Sequence, residues 1–180
     1  MKNAWTYALG FGGAFIALKM LAFAAQWQLH QIQPFVLLNM AFLTAGIALF
    51  LYKKKRTEAH SNILTDIKNG LSVGLPYTLL VSFFLFFYYK DIDPSFNQQK
   101  LAQIESQMDS PSEIAQIRKS NQALENKTDQ EIRTLAKQNM SLMYNPQFTL
   151  SVSLLALLVY STLNSLLIAV IYRKIVYSQH

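Results

Sequence analysis

Four long apolar segments constrain the fold of this 180-residue chain most, and Lys19 is the one charged residue within them. The segments are Trp5–Gln26, Pro34–Tyr52, Leu71–Tyr89 and Phe148–Tyr172. A helix needs about 20 largely apolar residues to cross the hydrocarbon core of a bilayer, which is about 30 Å thick. The apolar residues do not alternate with a period of two, so helices are favoured over barrel strands. The sequence therefore predicts an all-α, integral membrane four-helix bundle with a helical extramembrane insert between the third and fourth spans.

Two alternatives stay open at this point. The first is a soluble bundle with four buried helices. Only 14% of the residues are charged, against about 25% in soluble domains, and this favours the membrane. The second is a cleaved signal peptide, because "AFAAQ" at 22–26 offers a small-x-small site. Lys19 interrupts the apolar region of that segment, and only one Lys precedes it, so a retained first span is the preferred interpretation.

The distribution of cations predicts the orientation of the spans. Residues 53–70 hold five cations and two acids, whereas residues 90–147 hold seven cations and eight acids. Lys and Arg are enriched in cytoplasmic loops close to span ends. The 53–70 loop and both termini are therefore predicted to be cytoplasmic, and residues 90–147 lie on the opposite side. Contacts with lipid headgroups are predicted for Lys53, Lys54, Lys55, Arg56, Lys68, Arg173 and Lys174.

A short amphipathic helix is predicted between the basic loop and the third span. In "SNILTDIKNG", Ile63, Leu64 and Ile67 share one helical face with Leu71. The helix would lie on the inner membrane surface as an orientation anchor; sensing of anionic lipid is the alternative.

The insert at 90–147 is predicted to contain three helices. The first runs from Phe96 to Met108. The next two begin at "SPSE", where Ser110 and Glu113 form a capping box around Pro111, and at "TDQE", with Thr128 and Glu131. Each of these two helices is predicted to have about 13 to 16 residues, or about 20 to 24 Å at 1.5 Å per residue.

Two narrow stripes follow those starts, each with an Asn in third place. They are Ile114, Ile117, Asn121, Leu124 and Ile132, Leu135, Asn139, Leu142. This apolar content is too small for an independent domain. The insert is therefore expected to lean on the membrane, on a second copy or on another protein.

No motif for catalysis or cofactor binding occurs in the chain. There is no cysteine, and His30, His60 and His180 are far from other candidate ligands. We therefore expect no catalytic residue, no metal site and no cofactor, and expect that the chain is not an enzyme.

All ten acidic residues lie outside the four segments, which argues against ion-coupled transport. The net charge of +6 is concentrated near span ends, so no nucleic acid is expected as a partner.

Lys19 is the most unusual residue within the spans. An unpaired Lys at mid-span costs about 3 kcal/mol on insertion scales. We expect it to face the bundle or a partner subunit in an intramembrane polar cluster with Asn39, Thr44 and Ser82. The alternative is that its side chain reaches back to the membrane surface. Asn164 and Tyr160 form a second polar spot, interpreted as a contact between helices.

Small residues at spacings of four predict close helix contacts. They are Ala4, Ala8 and Gly12, Gly13 with Ala17, and Gly70 with Gly74.

The chain resembles a small four-span membrane protein family of unknown function, found mainly in Bacteroidetes, in the short motifs at the ends of its spans. The resemblance rests on "DIKNGLSVGL" entering the third span, "FYYKDIDPSF" leaving it, and "YNPQF" before a last span ending in "YRK". It covers nearly the whole chain. It implies the bacterial inner membrane and a periplasmic insert, and it supplies no activity or site residue.

The predicted organisation is three parts: residues 1–89 with three spans, the insert at 90–147, and residues 148–180 with the last span and a basic tail. The predicted function is that of a non-enzymatic accessory or scaffold protein in a larger complex. Its partners would be membrane lipids and other membrane subunits or a second copy. The alternative is a small transporter or channel for a polar or anionic solute that uses Lys19, Asn39 and Ser82.

Overall fold

The computed structural model describes residues 2–27, 33–57, 62–108, 110–121, 124 and 126–176. Seven α-helices and two π-helical turns account for most of them, and no strand occurs among these residues. The α-helices are α1 (Lys2–Ala24), α2 (Gln33–Thr57), α3 (Ile63–Phe87), α4 (Pro94–Met108), α5 (Pro111–Ser120), α6 (Asp129–Met143) and α7 (Pro146–Ile171). The π-helical turns are Tyr88–Ile92 and Tyr172–Val176. The all-α fold is confirmed.

Four helical stretches within the described residues are long and apolar enough to cross a membrane. They are Asn3–Ala24, Gln33–Arg56, Ile63–Ile92 and Pro146–Lys174. Each overlaps one of the four predicted spans. The chain is therefore a helical protein with four candidate membrane spans.

The chain divides into two compact units: residues 1–84 with 151–180, and residues 85–150. In the first unit, α1, α2, the larger part of α3 and most of α7 form a helical bundle. Its core holds side chains from all four helices, among them Phe15, Leu43, Ile47, Val73, Tyr77, Val81, Leu157 and Ile168. Other large apolar side chains point away from that core, including Leu9, Leu21, Leu37, Leu79, Leu155 and Leu167. Apolar residues on every helix face are typical of a bundle surrounded by lipid.

Small residues set the spacing between helices in this bundle. A Cβ built on Gly70 would lie 2.7 Å from the Cβ of Ser165, and one on Gly74 would lie 2.7 Å from the Cβ of Ser161. The predicted Gly70–Gly74 contact is therefore a close approach of α3 to α7. Gly12 likewise faces Leu80 of α3, with 2.7 Å to Cδ2. In contrast, a Cβ on Gly13 would meet nothing within 4 Å, so the predicted Gly13–Ala17 ladder faces outward.

One prediction about α3 is wrong. The residues expected to form a separate helix on the membrane surface are the first turns of α3, which is continuous from Ile63 to Phe87. The amide N–H of Thr65 donates to Oδ1 of Asn62 at 2.8 Å and so helps to start the helix there. Gly70 lies inside α3 and does not end it. Its role is to allow the close contact with Ser165 of α7. The candidate span Ile63–Ile92 is longer at both ends than the predicted segment Leu71–Tyr89, and it therefore includes Asp66 and Asp91.

The second unit contains α4, α5 and α6. Asp93 precedes α4, and its Oδ1 accepts hydrogen bonds from the Ser95 hydroxyl at 2.8 Å and from the Phe96 amide at 3.2 Å. The buried apolar residues of the unit include Phe96, Ile114 and Ile132.

The predicted helix starts in this unit differ in their outcome. At α6, Thr128 and Glu131 form the complete capping box, which confirms the prediction. At α5, Pro111 begins the helix as predicted, but the Ser110 side chain makes no cap hydrogen bond, so the Ser110 half of the predicted box is wrong. The half that the Glu113 side chain would form lies outside the described residues. α5 has 10 residues, fewer than predicted, because Asn121 turns to an extended backbone with φ −139° and ψ 102°.

Candidate functional site

A buried carboxylate with two cations lies at the end of the bundle where α2 ends, α3 begins and α7 ends. We call this end the basic end. Asp66 is 5% exposed. Its Oδ2 accepts hydrogen bonds from Lys55 Nζ at 3.2 Å and from Arg173 Nε at 2.8 Å. Arg173 Nη2 forms an ion pair with the same oxygen at 2.7 Å. Asp66, Lys55 and Arg173 are named the Asp66 cluster; it joins α2, α3 and the turn that follows α7.

Local helix chemistry favours this placement of charges. Lys55 lies in the last turn of α2 and Asp66 in the first turn of α3. Cations are favoured at helix C-termini and anions at helix N-termini, because of the partial charges of the backbone ends. Asp66 also lies on the inward face of α3, four residues before Gly70, whose neighbour is Ser165 of α7. The helix register thus carries the carboxylate into the bundle.

The three charges of the cluster differ in exposure. The Lys55 and Asp66 side chains are each 7% exposed, whereas the Arg173 side chain is 31% exposed. Removing ions of this kind from water costs several kcal/mol each, so the short contacts are needed to hold the buried pair. The formal charge of the three groups is one positive unit.

A small cavity adjoins the cluster. Its volume is about 10 Å³, close to the space that one water molecule needs. It is lined by Leu51, Lys55, Asp66, Ala169 and Tyr172. The hydroxyl of Tyr172 donates to the carbonyl oxygen of Ala48 at 3.0 Å, which fixes the ring beside the cavity. The cavity has room for one oxygen atom next to a buried ammonium group.

The predicted headgroup contacts fall into two groups. Lys53, Arg56, Lys68 and Lys174 are exposed at the basic end, and Lys54 is half-buried. Lys55 and Arg173, in contrast, contact Asp66. Lys55 is therefore part of the interior of the bundle.

Lys19 is 4% exposed, and its Nζ lies over the Phe35 ring at 4.6 Å from the centroid. Phe35 is in the first turn of α2, so the ammonium group is at the end of the bundle opposite the basic end. A cation over an aromatic face is attracted by the ring quadrupole.

The other members of the predicted polar cluster have different partners. Asn39 accepts hydrogen bonds from the Tyr77 hydroxyl at its Oδ1, at 2.6 Å, and at its backbone carbonyl, at 3.1 Å. Thr44 Oγ1 lies 3.0 Å from the Tyr160 hydroxyl and accepts from Asn164 Nδ2 at 3.0 Å. Asn39 and Thr44 therefore tie α2 to α3 and to α7, and the interpretation of Tyr160 and Asn164 as a helix contact agrees with these distances.

Within α3, two hydroxyl groups are buried without a hydrogen-bond partner in the described part of the chain. They belong to Thr78, 1% exposed, and Ser82, fully buried. The two residues are one turn apart on α3. A buried polar atom without a partner raises the free energy of the folded state by about 1–3 kcal/mol.

Sequence reasoning missed Asp66 and Tyr77. The signal for Asp66 was its spacing: residues 66, 70, 74 and 77 follow one helical face into the third span. That signal was lost because the predicted span began at Leu71. His30, His60 and His180 lie outside the described residues. Within the described part no group of three or more His, Cys, Asp or Glu side chains is arranged to hold a metal ion.

The fold and these interior contacts define a helical protein with four candidate membrane spans that are tied together by polar side chains. The chain belongs to the family described as "Protein of unknown function (DUF4199)", whose model matches residues 6–174. No curated protein and no solved structure matches the chain. The match agrees with the resemblance to a family of unknown function.

Proposed function

We propose that this chain is a non-enzymatic scaffold or accessory subunit of the bacterial inner membrane, acting within a larger complex. It would act through helix contacts in the membrane and through the insert at 90–147. The observation that carries the proposal is the use of the interior polar groups. Asn39, Thr44 and Asp66 all bond across helices. Such contacts hold the bundle together and leave its apolar outer faces to lipid and to other subunits.

The charges at the basic end support a cytoplasmic position for that end. Lys53, Arg56, Lys68 and Lys174 are exposed there, and cytoplasmic span ends are enriched in such residues. Both termini would then be cytoplasmic, and the insert at 90–147 would be periplasmic.

The end of α6 supports a role for the insert in binding a partner. Leu142 is 61% exposed and Met143 is 58% exposed, whereas Ile132 near the start of the same helix is 1% exposed. Apolar side chains grouped at one exposed position are typical of interaction surfaces.

Orientation can be tested directly because the chain has no cysteine. Single cysteines replace Lys68 and Lys137, one in each predicted compartment, and intact cells are treated with a membrane-impermeant maleimide. We expect labelling of the cysteine at 137 in intact cells and of the cysteine at 68 only after lysis. The reverse pattern would overturn the proposed orientation.

The scaffold role is tested by purification in mild detergent after cross-linking in cells. Leu142→Ser and Met143→Ser should reduce recovery of companion proteins, whereas Gln138→Ser, an exposed polar position on the same helix, should not. A monomeric particle without companions would contradict the proposal.

A transporter or channel is the second candidate, and the buried hydroxyls of Thr78 and Ser82 favour it. Polar groups without partners at this depth would suit a path for a polar or anionic solute, together with Lys19 and Asn39. Ser82→Cys should react with small hydrophilic thiol reagents if such a path exists. Leu79→Cys is the control, since Leu79 is 49% exposed on the outer face of the bundle. We expect no reaction of Leu79→Cys with the hydrophilic reagents. If Ser82→Cys also fails to react, this candidate function is removed.

A further inference from the structure

Two arginines and two tyrosines lie together at the basic end. Arg56 Cζ is 5.8 Å from the centroid of the Tyr52 ring. The Tyr52 ring meets the Tyr172 ring edge-on, with 6.2 Å between centroids. Tyr172 is followed in the chain by Arg173 of the Asp66 cluster. The tyrosine pair therefore brings the end of α2, with Arg56, next to the turn that carries Arg173.

We infer that this region is a binding site for one phosphate-bearing anionic group. Arg56 and Arg173 would bind the phosphate oxygens, and Lys55 would meet one of those oxygens through the small cavity. The phosphate belongs either to a lipid headgroup or to free phosphate in solution. Only the choice between these two sources rests on the proposed membrane location.

Arg173 is set in position before any ligand arrives. Its Nε donates to Asp66 Oδ2 and its Nη2 forms an ion pair with the same oxygen, and this fixes the plane of the guanidinium group. The side chain nevertheless stays 31% exposed. Arginine is suited to this role because its planar group binds phosphate through parallel hydrogen bonds.

Arg56 is held by a different contact. Its guanidinium lies over the Tyr52 ring, while the Arg56 side chain stays exposed. Stacking on an aromatic face restrains an arginine and leaves its N–H groups at the ring edge for other contacts. Tyr172 is restrained in turn by its hydrogen bond to Ala48.

The cavity determines how the anion reaches Lys55. Its volume is about 10 Å³, and its lining includes Lys55, Asp66 and Tyr172. This volume is close to the space that one water-sized oxygen atom needs. The Asp66 carboxylate is also present, but it is outnumbered by Lys55 and Arg173, and Arg56 adds a further positive charge.

The position favours a lipid as the source of the phosphate. Arg56 is the last residue of one candidate span, and Arg173 is the last residue but one of another. Tyrosine rings prefer the level of lipid headgroups, and Tyr52, which is 41% exposed, is placed to meet them.

The test uses the full chain in mild detergent, with phosphatidylglycerol titrated and bound lipid counted by native mass spectrometry. Arg173→Gln and Arg56→Gln should each weaken the tightest lipid site about 30-fold, as expected for lost charge-assisted hydrogen bonds. Lys174→Gln is the matched control because it removes the same charge at an exposed neighbouring residue. That variant should weaken binding no more than about 5-fold, the general effect of one cation near a membrane surface.

Each outcome decides between explanations. Equal losses in Arg56→Gln, Arg173→Gln and Lys174→Gln would mean attraction to general charge and would overturn the site. Arg56 makes no contact with Asp66, so its variant keeps the test valid if Arg173→Gln fails to fold. Displacement of the lipid by millimolar inorganic phosphate would assign the site to free phosphate, and binding that persists would assign it to a lipid. Absence of tight binding by either ligand would overturn the inference while leaving the recovery of companion proteins unaffected.

Discussion

Gly70 of α3 and Ser165 of α7 are in such close contact that a Cβ on Gly70 would lie 3.2 Å from the Ser165 Cα. The same Cβ would lie 2.7 Å from the Ser165 Cβ. Because the obstacle includes backbone, a larger residue at 70 requires the two helices to separate. This contact lies one turn from Asp66, so the spacing of α3 and α7 also determines the place of the Asp66 cluster.

Gly70→Ala is therefore expected to destabilise the bundle. Overpacking of a tight contact costs about 1–3 kcal/mol. Gly13→Ala is the control, since a Cβ there meets nothing within 4 Å; it should be neutral or raise stability by up to about 1 kcal/mol through helix propensity. Thermal unfolding in detergent measures both variants. Equal destabilisation of the two would mean that the α3–α7 contact is not the cause.

Asp66→Asn is expected to be among the most damaging changes of a single charge. It leaves Lys55, 7% exposed, without its carboxylate, and loss of one partner from a buried pair costs about 3–5 kcal/mol. The Arg173 side chain is partly exposed and solvated, so the loss of its contact with Asp66 adds little to this destabilisation. The measurement is the midpoint of unfolding in detergent.

The ion pair of Arg118 with Asp129 supplies the matched comparison. The Asp129 side chain is 61% exposed, so Asp129→Asn should cost no more than about 1 kcal/mol. Lys55→Met should restore part of the stability of Asp66→Asn, because the buried cation that has lost the Asp66 carboxylate is then removed. No recovery in the double variant would contradict the account of Lys55 as a buried partner.

The number of spans and their approximate bounds could be predicted because apolar length alone determines them. The partners within the bundle could not. The sequence predicts Asn39, Thr44 and Ser82 as polar groups inside the bundle, but it does not state which side chain of a neighbouring helix each of them contacts. Tyr77 was read as part of an apolar run, whereas its hydroxyl reaches Asn39.

A double-mutant cycle tests the contact between Tyr77 and Asn39. Tyr77→Phe leaves the Asn39 side chain buried without its donor, which costs about 1–3 kcal/mol. Asn39→Leu removes the shorter bond of the Tyr77 hydroxyl, at 2.6 Å, and leaves its bond of 3.1 Å to the backbone carbonyl of residue 39. Because replacement of both partners removes both penalties, the double variant should be less destabilised than the sum, by about 0.5–3 kcal/mol. Additive effects in thermal unfolding would show that the two side chains do not share this bond.

The insert shows why helix starts are easier to predict than helix ends. Both Ser110 and Thr128 precede a Glu by three residues, but only Thr128 receives the amide hydrogen bond of its Glu. The predicted stripe of Ile114, Ile117, Asn121 and Leu124 requires one unbroken helix. The extended backbone at Asn121 ends α5 before that residue. A pattern of apolar residues carries no information on such a backbone change.

The capping box of α6 makes its first turn sensitive to acid. The Thr128 amide donates to Glu131 Oε2 at 2.8 Å and the Thr128 hydroxyl donates at 2.9 Å. These bonds, the backbone one first, lower the pKa of the Glu131 carboxyl below its ordinary value of 4.5. The stabilisation is therefore complete above the ordinary value and is lost as the pH falls through the lower value of the folded state. Carbon chemical shifts of residues 129–133, followed by NMR from about pH 7 to about pH 2, should report loss of helix in that range. Glu131→Gln should remove this transition, because its amide oxygen still accepts the bonds but does not titrate. An acid transition of the same size in that variant would assign the effect to another carboxyl group.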